Sequence, residues 1–396
     1  MAKIARLVGN VPIRVLFPSG AANSIGAQPI ATIRIHSRLA LARLLRDPDM
    51  NFGEAFMDGA IEVDGDLVAL LEAVFRASDE RVDAGRRSRH ANPPSASRDN
   101  VHHHYDIGNE FYRLWLDREL AYTCAFFPTP DASLEDAQVA KFERVSAKLR
   151  LSPGEKVVEA GCGWGGLAIH MVRHHGVRVR AWNVSHEQVT YARERAAREH
   201  LSHMVEFVED DYRSIDEPAD AFVSVGMLEH VGPADYPAFA RVIRRTIGDR
   251  GRGLLHFIGR ARPLPLNPWI RRRIFPGAYP PTLPEAFAGV LEPARLAVLD
   301  VENLRLHYAK TLDHWRRRYI ASSEEVARMF DERFRRAWLL YLSGSQAAFQ
   351  AGSLQLFQVL FAPAASNRIP WSRDDRGSGT GIWDQASGSG REAAES

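Results

Sequence analysis

A glycine-rich turn between an apolar strand and a helix constrains this chain more than any other feature. Residues 156–166 read KVVEAGCGWGG, and residues 167–169 read LAI and begin a helical stretch. Glycine lets the backbone turn sharply and approach a ligand closely, and the first turn of the following helix offers free N–H groups. A strand, a glycine turn and a helix in this order predict a nucleotide-binding unit of an α/β fold.

The acid before the turn separates two classes of cofactor. Gly161, Gly163 and Gly166 fit the dinucleotide fingerprint. Glu159, however, lies just before the first glycine, where a carboxylate would repel a pyrophosphate and attract the amino group of a methionine-like moiety. The turn therefore favours S-adenosylmethionine. An NADP oxidoreductase, with Arg180 near the extra phosphate, stays the alternative.

Apolar segments alternate with helical stretches after the turn. This alternation is typical of a parallel, doubly wound sheet, so the predicted fold is a Rossmann-like α/β domain. The further predicted strands are 177–184, 205–208, 221–225 and 253–258. Because ligands bind at the carboxyl ends of such strands, the polar residues there should gather on one rim. These residues are Glu159, Asn183, Asp211, Glu229 and His256.

Composition divides the chain into four parts. Residues 1–84 are predicted to form a small α+β domain, with a strand at 11–17, a turn region at 53–59 and a helix at 67–75. A polar linker at 85–99 precedes the catalytic domain at 100–365. The tail at 366–396 is rich in Gly, Ser and charge and is expected to be disordered.

Charge and cysteine content exclude several classes of function. The net charge of +2 gives no sign of a nucleic-acid partner. The two cysteines, Cys124 and Cys162, suggest neither a disulfide framework nor a zinc site, so we expect a reducing cytoplasm. His102, His103 and His104 are adjacent and diverge in direction, so no metal is predicted. The sequence has no signal-like segment at its start and no long apolar run.

Five motifs in order carry a resemblance to a known family. They are HYDIGN at 104–109, YTCA at 122–125, EAGCGWG at 159–165, EHVG at 229–232 and IFPG at 274–277. The set resembles the cyclopropane-fatty-acyl-phospholipid synthases and the mycolic acid cyclopropane synthases from about residue 100 to 363. Residues 53–65 resemble the N-terminal domain of the phospholipid enzymes. The resemblance implies an S-adenosylmethionine-dependent methyltransferase domain behind a smaller accessory domain.

The resemblance also implies a reaction and a site. A methyl group passes to the double bond of an unsaturated phospholipid acyl chain, and bound bicarbonate removes a proton from the resulting carbocation as a cyclopropane ring closes. The implied anion cage consists of the Cys124 backbone, Glu229, His256, Ile258 and Tyr308. The predicted cofactor-binding residues are Tyr122, Thr123, Glu159, Gly161, Cys162, Gly163, Gly165, Asn183, Val184, Gln188, Asp211, Tyr212 and Arg213.

Simpler explanations stay open for the cage. Glu229 can be a helix cap, His256 a core histidine and Tyr308 a packing residue. The chain also departs from the family at Ser345, where many members have cysteine, and at Asn183, where threonine is common. A relative that methylates acyl chains without closing a ring would keep the same motifs. A non-catalytic lipid-binding protein is the alternative from another class.

Residues 269–277 suggest contact with a membrane. Three arginines, 271–273, lie among apolar side chains such as Trp269 and Ile274. Such a patch suits an anionic lipid surface. We therefore expect the phospholipid bilayer to be the partner, with peripheral binding at the inner membrane face, and we also expect a homodimer.

Overall fold

The computed structural model of the chain describes residues 4–5, 8–79 and 107–369. The predicted linker at 85–99 and the histidines at 102–104 lie outside the described residues. The same is true of the predicted tail beyond residue 369, and of the first three residues of the HYDIGN motif. Two units, each with its own sheet, are described.

The N-terminal unit contains a four-stranded sheet, and from residue 13 to residue 79 it has three helices. Its strands are β1 (Ile13–Leu16), β2 (Ala22–Ile25), β3 (Ala31–Ile35) and β4 (Ile61–Gly65), and its helices are α1 (Arg38–Arg46), α2 (Pro48–Met57) and α3 (Leu67–Asp79). The strand order is β2-β1-β3-β4, with only β1 and β3 parallel. Alternate residues of β1 and β3 are buried, as expected when one face of a sheet covers a core. The strand and the helix predicted here both form.

The turn predicted at residues 53–59 is wrong for most of its length. Helix α2 continues to Met57, and Gly53 lies inside it. A Cβ at Gly53 would stand 2.4 Å from Trp269 Cγ, so glycine is required there for close packing. Only Gly59, with a φ of +70°, makes a turn.

The second unit is built on a seven-stranded sheet. Its strands are β5 (Lys156–Ala160), β6 (Arg178–Asn183), β7 (Val205–Glu209), β8 (Ala221–Val225), β9 (Arg252–Gly259), β10 (Leu296–Asn303) and β11 (Gln355–Pro363). The order is β10-β11-β9-β8-β5-β6-β7. Strands β5 to β9 run parallel, as predicted. Strand β11, however, inserts antiparallel between β9 and β10, so the sheet is mixed.

Helices cover both faces of this sheet. The α-helices of the second unit are α4 (Asn109–Arg113), α5 (Leu134–Leu149), α6 (Gly166–His175), α7 (His186–Arg198), α8 (Leu228–Val231), α9 (Tyr236–Ile247), α10 (Pro268–Arg273), α11 (Leu283–Ala286), α12 (Arg305–Ala321), α13 (Ser323–Met329) and α14 (Glu332–Ala351). Among the helices of the described ranges, none has the length and apolar character needed to cross a bilayer.

A dense aromatic cluster lies beside the carboxyl edge of the sheet. Its buried rings from the second unit are Phe111, Tyr112, Trp115, Phe127, Trp164, Trp269, Tyr308, Trp315, Tyr319, Trp338, Tyr341 and Phe349. Phe56 and Met57 of the N-terminal unit belong to the same cluster. The two units are therefore joined by a shared apolar core, to which Arg336 adds hydrogen bonds to the carbonyls of Phe56 and Ile61.

Candidate active site

The glycine turn adopts the backbone that its sequence requires. Gly161, Gly163 and Gly165 have φ values of +85°, +54° and +81°. The N–H groups of Gly161 and Cys162 donate to the Trp182 carbonyl at 2.9 and 3.1 Å, which attaches the turn to the end of β6. A Cβ added at Gly163 would meet nothing within 4 Å. Open space beside a backbone that lines a cavity is what a closely held ligand needs.

The turn forms one wall of a first cavity at the carboxyl ends of β5, β6 and β7. Eleven of the predicted cofactor-binding residues line it. They are Tyr122, Thr123, Glu159, Gly161, Cys162, Gly163, Asn183, Val184, Gln188, Asp211 and Tyr212. Asn183 holds the wall together by donating to Gln188 Oε1 at 2.7 Å and to the Gly163 carbonyl at 3.3 Å.

Two predicted cofactor residues do not line this cavity. Gly165 lies beneath it, where a Cβ would stand 2.6 Å from Phe207 Cζ, so its small size serves packing. Arg213 pairs with Asp211 at 2.9 Å and with Asp235 at 3.2 Å. It therefore orients the Asp211 carboxylate, and its predicted role in cofactor binding stays a prediction.

Glu159 is the buried acid of the first cavity. Its side chain is 2 % exposed, and no hydrogen-bond partner among the described residues reaches Oε2. Burial raises the pKa of Glu159 to about 8, against the opposing attraction of Lys141. A carboxyl group held in its neutral form by burial ionises when a cation arrives beside it. The site is thus suited to a positively charged ligand group.

Lys141 on α5 is a cavity residue that the sequence reasoning missed. It is 2 % exposed, and its Nζ donates to Thr123 Oγ1 at 2.9 Å. Burial lowers the pKa of Lys141 to about 8. The available signal was its position on the apolar side of the helix, between Ala137 and Val145, where a solvated lysine is not expected.

A second cavity adjoins the first and contains all five residues of the predicted cage. These are Cys124, Glu229, His256, Ile258 and Tyr308. The two cavities share a wall formed by Tyr122, Thr123, Gly226 and His230. The strand ends therefore bring together residues that lie more than a hundred positions apart in the chain.

Two polar atoms in the second cavity have no partner within the described residues. They are Glu229 Oε2 and His256 Nε2. The other oxygen of Glu229 accepts from the Ile258 N–H at 3.4 Å, which connects this acid to the end of β9. Burial raises the pKa of Glu229 to about 7 and lowers that of His256 well below its usual range. Unpartnered buried polar atoms are rare, and here they indicate a polar ligand.

The remaining cage residues supply shape and backbone groups. The Cys124 thiol donates to the Ala125 carbonyl at 3.1 Å, and burial raises its pKa, so it is poorly suited to act as a nucleophile. Tyr308 is buried against Phe349, with ring centroids 4.5 Å apart. Tyr341 closes the cavity from α14 through a 2.8 Å contact between its hydroxyl and that of Tyr122.

The position of Arg180 does not support the NADP alternative, and a possible metal-binding group lies away from both cavities. Arg180 forms ion pairs with Glu206 and Glu217 at 2.7 Å each and does not line the first cavity. His170 and His175 both contact Glu143 Oε2 at 3.2 Å, in the spacing of a possible metal group. This group lies between α5 and α6, outside both cavities.

The basic patch at residues 269–277 is more buried than its sequence predicts. Trp269 and Ile274 are 3 % exposed and pack inside the aromatic cluster, so they do not face a membrane. Arg273 is paired with Glu54 of the N-terminal unit at 2.7 Å. Arg272 is exposed and Arg271 is half-buried, and these two form the outer part of the patch.

Comparison with protein families identifies relatives over nearly the whole described chain. Residues 93–359 match the model of mycolic acid cyclopropane synthetases, and residues 2–84 match a domain of unknown function. A probable fatty acid methyltransferase of Pseudomonas putida is 34 % identical over 384 residues, covering 92 % of this chain and 96 % of the relative. The cyclopropane-fatty-acyl-phospholipid synthase of Escherichia coli K12 is 35 % identical over 367 residues, covering 90 % and 94 %.

The second unit is also similar to solved structures of cyclopropane synthases. The cyclopropane synthase MmaA2 from Mycobacterium tuberculosis superposes with a TM-score of 0.64 at 28 % identity, covering 67 % of this chain and 98 % of that one. Mycolic acid cyclopropane synthase CmaA1 complexed with SAH and CTAB gives 0.63 at 30 % identity, covering 67 % and 97 %.

Proposed function

The chain belongs to the mycolic acid cyclopropane synthetase family, and on that premise we propose that it cyclopropanates unsaturated acyl chains of membrane phospholipids. It is an S-adenosylmethionine-dependent methyltransferase, as the family and its fold establish. The phospholipid substrate, the ring product and the proton acceptor are our proposal. The E. coli relative that is named for this activity matches 90 % of the chain, including the N-terminal unit.

One observation carries the proposal: two adjoining cavities that differ in chemistry share a wall. The first has a glycine floor and a buried acid, Glu159. The second has the unpartnered atoms Glu229 Oε2 and His256 Nε2. A reaction that joins a cofactor carbon to a substrate and then removes a proton needs two such neighbouring sites.

The first cavity fits S-adenosylmethionine, which supplies a methyl group activated by its sulfonium. Glu159 would hold the cationic amino group, because a buried carboxylate whose Oε2 has no partner among the described residues gains most from such a neighbour. The backbone at Gly161 and Gly163 allows close approach to the turn. Asp211 and Tyr212 offer an acid and an aromatic face suited to an adenine amine and ring.

The second cavity fits bicarbonate, which supplies a base that can accept the proton lost as the ring closes. His256 can donate from Nε2 to an anion oxygen, and Glu229 Oε2 can accept its hydroxyl hydrogen or, when protonated, donate one. Because burial raises the pKa of Glu229 to about 7, a large share of this acid is protonated near neutral pH, and the protonated form does not repel an arriving anion.

The aromatic cluster gives the site a dry surrounding. Tyr308, Phe275 and Leu356 line the second cavity, and further buried rings stand behind them. An alkene attacks weakly and leaves a cationic carbon that water would trap. Aromatic faces exclude water and also favour a nearby positive charge.

A fatty-acyl methyltransferase that forms a methyl or methylene branch is the second candidate. The P. putida relative carries such a name and matches 92 % of the chain. The purified protein should therefore be incubated with S-adenosylmethionine and vesicles of an unsaturated phospholipid, followed by lipid mass spectrometry and NMR. The proposal expects a mass gain of one CH2 and cyclopropane proton signals. A gain of CH4 or an olefinic methylene signal would establish the second candidate instead.

The proton acceptor is tested separately. Turnover should slow in carbonate-free buffer and recover with added bicarbonate, while His256→Ala should not recover. Glu229→Gln should lose about 10²-fold in kcat with little change in cofactor affinity. Glu187→Gln, in the exposed first turn of α7, is the matched control and should behave as the wild type. Turnover that is indifferent to bicarbonate would reject this part of the proposal.

Access to acyl chains requires contact with a bilayer. We propose peripheral binding at the inner membrane face, with the exposed Arg272 and the half-buried Arg271 as the basic contribution. A homodimer is also proposed, and light scattering on the purified chain tests it.

A further inference from the structure

A chain of buried polar contacts leads from the edge of the sheet to His256. Gln358 on β11 lies directly opposite His256 on β9, and both are at most 1 % exposed. The Gln358 amide nitrogen is 3.0 Å from His256 Nδ1, and its amide oxygen is 2.8 Å from Lys148 Nζ. Lys148, on α5, is also paired with Glu302 at 2.7 Å and with Asp300 at 3.4 Å.

Each contact in this chain permits only one direction of donation. The lysine ammonium donates and does not accept, so the amide oxygen of Gln358 must face it. The amide nitrogen then faces the imidazole and can only donate, so His256 Nδ1 must accept. In a neutral ring whose Nδ1 accepts, the hydrogen is on Nε2. His256 lines the second cavity, and its Nε2 has no partner among the described residues.

We propose that Lys148 and Gln358 are positioning residues that hold His256 in the Nε2–H tautomer and so present a fixed N–H donor to the second cavity. The inference deepens the proposed function, on which it rests for the identity of the ligand. It assigns His256 the role of a donor to an oxygen atom, and it denies this ring the role of the base.

The surroundings of His256 support a neutral ring. Burial is the main reason that its pKa is lowered, and the charges of Lys141 and Lys148 act in the same direction. The two carboxylates on β10 keep Lys148 in place, since an unpaired ammonium would be expensive at 8 % exposure. The tautomer is therefore set by four side chains from three elements, none of which lines the cavity.

The tautomer can be measured directly in the wild-type protein. Two-bond ¹H–¹⁵N correlation spectra of protein labelled at histidine distinguish a protonated from a bare ring nitrogen. The chain has 15 histidines, so the His256 signals are identified by their loss in His256→Gln. We expect a protonated Nε2 and a bare Nδ1, with Nε2 shifting when bicarbonate is added. A bare Nε2 in the wild type would overturn the inference without any other variant.

Gln358→Glu is designed to reverse the tautomer. A carboxylate accepts from Lys148 and also from the ring, so at about pH 9, where an imidazole is neutral, the hydrogen should move to Nδ1. Loss of a fixed donor should then lower kcat by about 10²-fold, with the KM for S-adenosylmethionine unchanged. Gln355→Glu makes the same change on the same strand, where the side chain accepts from Asn303 at 2.8 Å, and should leave both tautomer and kcat unchanged.

The outcomes separate the inference from the proposed function. An Nε2–H ring in the wild type that becomes Nδ1–H in Gln358→Glu supports the positioning role, even if the lipid assay fails. An active wild-type enzyme whose Gln358→Glu variant shows the reversed tautomer at full kcat would reject the role while leaving the function standing. A Gln358→Glu ring that keeps Nε2–H at this pH would also reject it.

Discussion

Two buried acids, one in each cavity, carry most of the electrostatic character of this molecule. Glu159 and Glu229 are 2 % and 5 % exposed, and burial is the main reason that both have raised pKa values, of about 8 and about 7. Near pH 7 Glu159 is therefore mostly neutral and Glu229 is about half ionised, until a ligand supplies a complementary charge or hydrogen bond. Ligand binding and proton movement should be coupled at both residues.

For Glu159, the coupling predicts proton release when the cofactor binds. A cationic amino group placed beside Glu159 stabilises its ionised form, so binding near pH 7 should release up to one proton and tighten as pH rises toward about 8. Calorimetric titration of S-adenosylhomocysteine in buffers of different ionisation enthalpy measures this number. Glu159→Gln should bind more weakly and release none. Equal proton release by both proteins would show that another group is responsible.

For Glu229, the raised pKa predicts a change in stability with pH. Its pKa is about 7 in the folded protein and 4.5 in the reference state, so its favourable contribution is complete below about pH 4.5 and is lost as pH rises through 7. Because glutamine does not ionise, the Glu229→Gln variant should not lose this stability as the pH rises. In urea unfolding without bicarbonate, the free energy of unfolding of the variant should rise relative to that of the wild type between about pH 5 and pH 8, by up to about 3 kcal/mol. Parallel pH profiles for the two proteins would contradict the assigned shift.

At the residue scale, motif and strand position were sufficient to predict much of the two cavities. Glu159 and Glu229 follow directly from their places at strand ends. Lys141 and Gln358 were not predicted, because each lies among apolar residues, on one side of a helix or along a strand, and only the packed neighbours reveal what it contacts. A side chain whose role is to orient another leaves no motif of its own.

At the scale of elements, the contact between α2 and α10 depends on a missing Cβ. Gly53→Ala would place a methyl group 2.4 Å from Trp269 Cγ, and overpacking of this kind costs about 1–3 kcal/mol. Gly344→Ala is the matched control in α14, because its Cβ would approach nothing closer than Leu71 Cδ1 at 3.9 Å. We expect a lower Tm for the first variant and an unchanged or slightly higher Tm for the second. Equal Tm values would mean that Trp269 moves aside freely.

Helices and strands were predictable where hydrophobic periodicity alone defines them. The direction of a strand or the extent of a helix was less predictable where packing against other elements determines it. The five parallel strands follow from alternation with helices. The antiparallel direction of β11 does not, because a continuous apolar run reads the same in either direction. Likewise Gly53 reads as a turn signal until its neighbour Trp269 is known.

At the scale of the whole molecule, the two outer arginines of α10, Arg271 and Arg272, should contribute to vesicle binding. Arg271→Gln with Arg272→Gln removes two positive charges, each worth about 1 kcal/mol at an anionic surface, so binding should weaken by tenfold or more at low salt. Arg178→Gln with Arg198→Gln removes the same charge from exposed positions at the start of β6 and the end of α7, and should have little effect. Sedimentation with anionic and neutral vesicles measures both. Equal losses from the two double variants would indicate a non-specific charge effect.

The shared core of the two units bears on how this protein can be engineered. Phe56 and Met57 pack with Trp269, and Phe275, a few residues further on, lines the second cavity. The mycobacterial synthase structures cover 67 % of this chain, so the N-terminal unit is an addition to the fold that they share. Cutting the chain at the predicted linker and removing the N-terminal unit would expose apolar side chains of the aromatic cluster, which includes residues that line the second cavity. A chimaera that exchanges N-terminal units between relatives would therefore need a compatible pair of residues at the positions of Gly53 and Trp269.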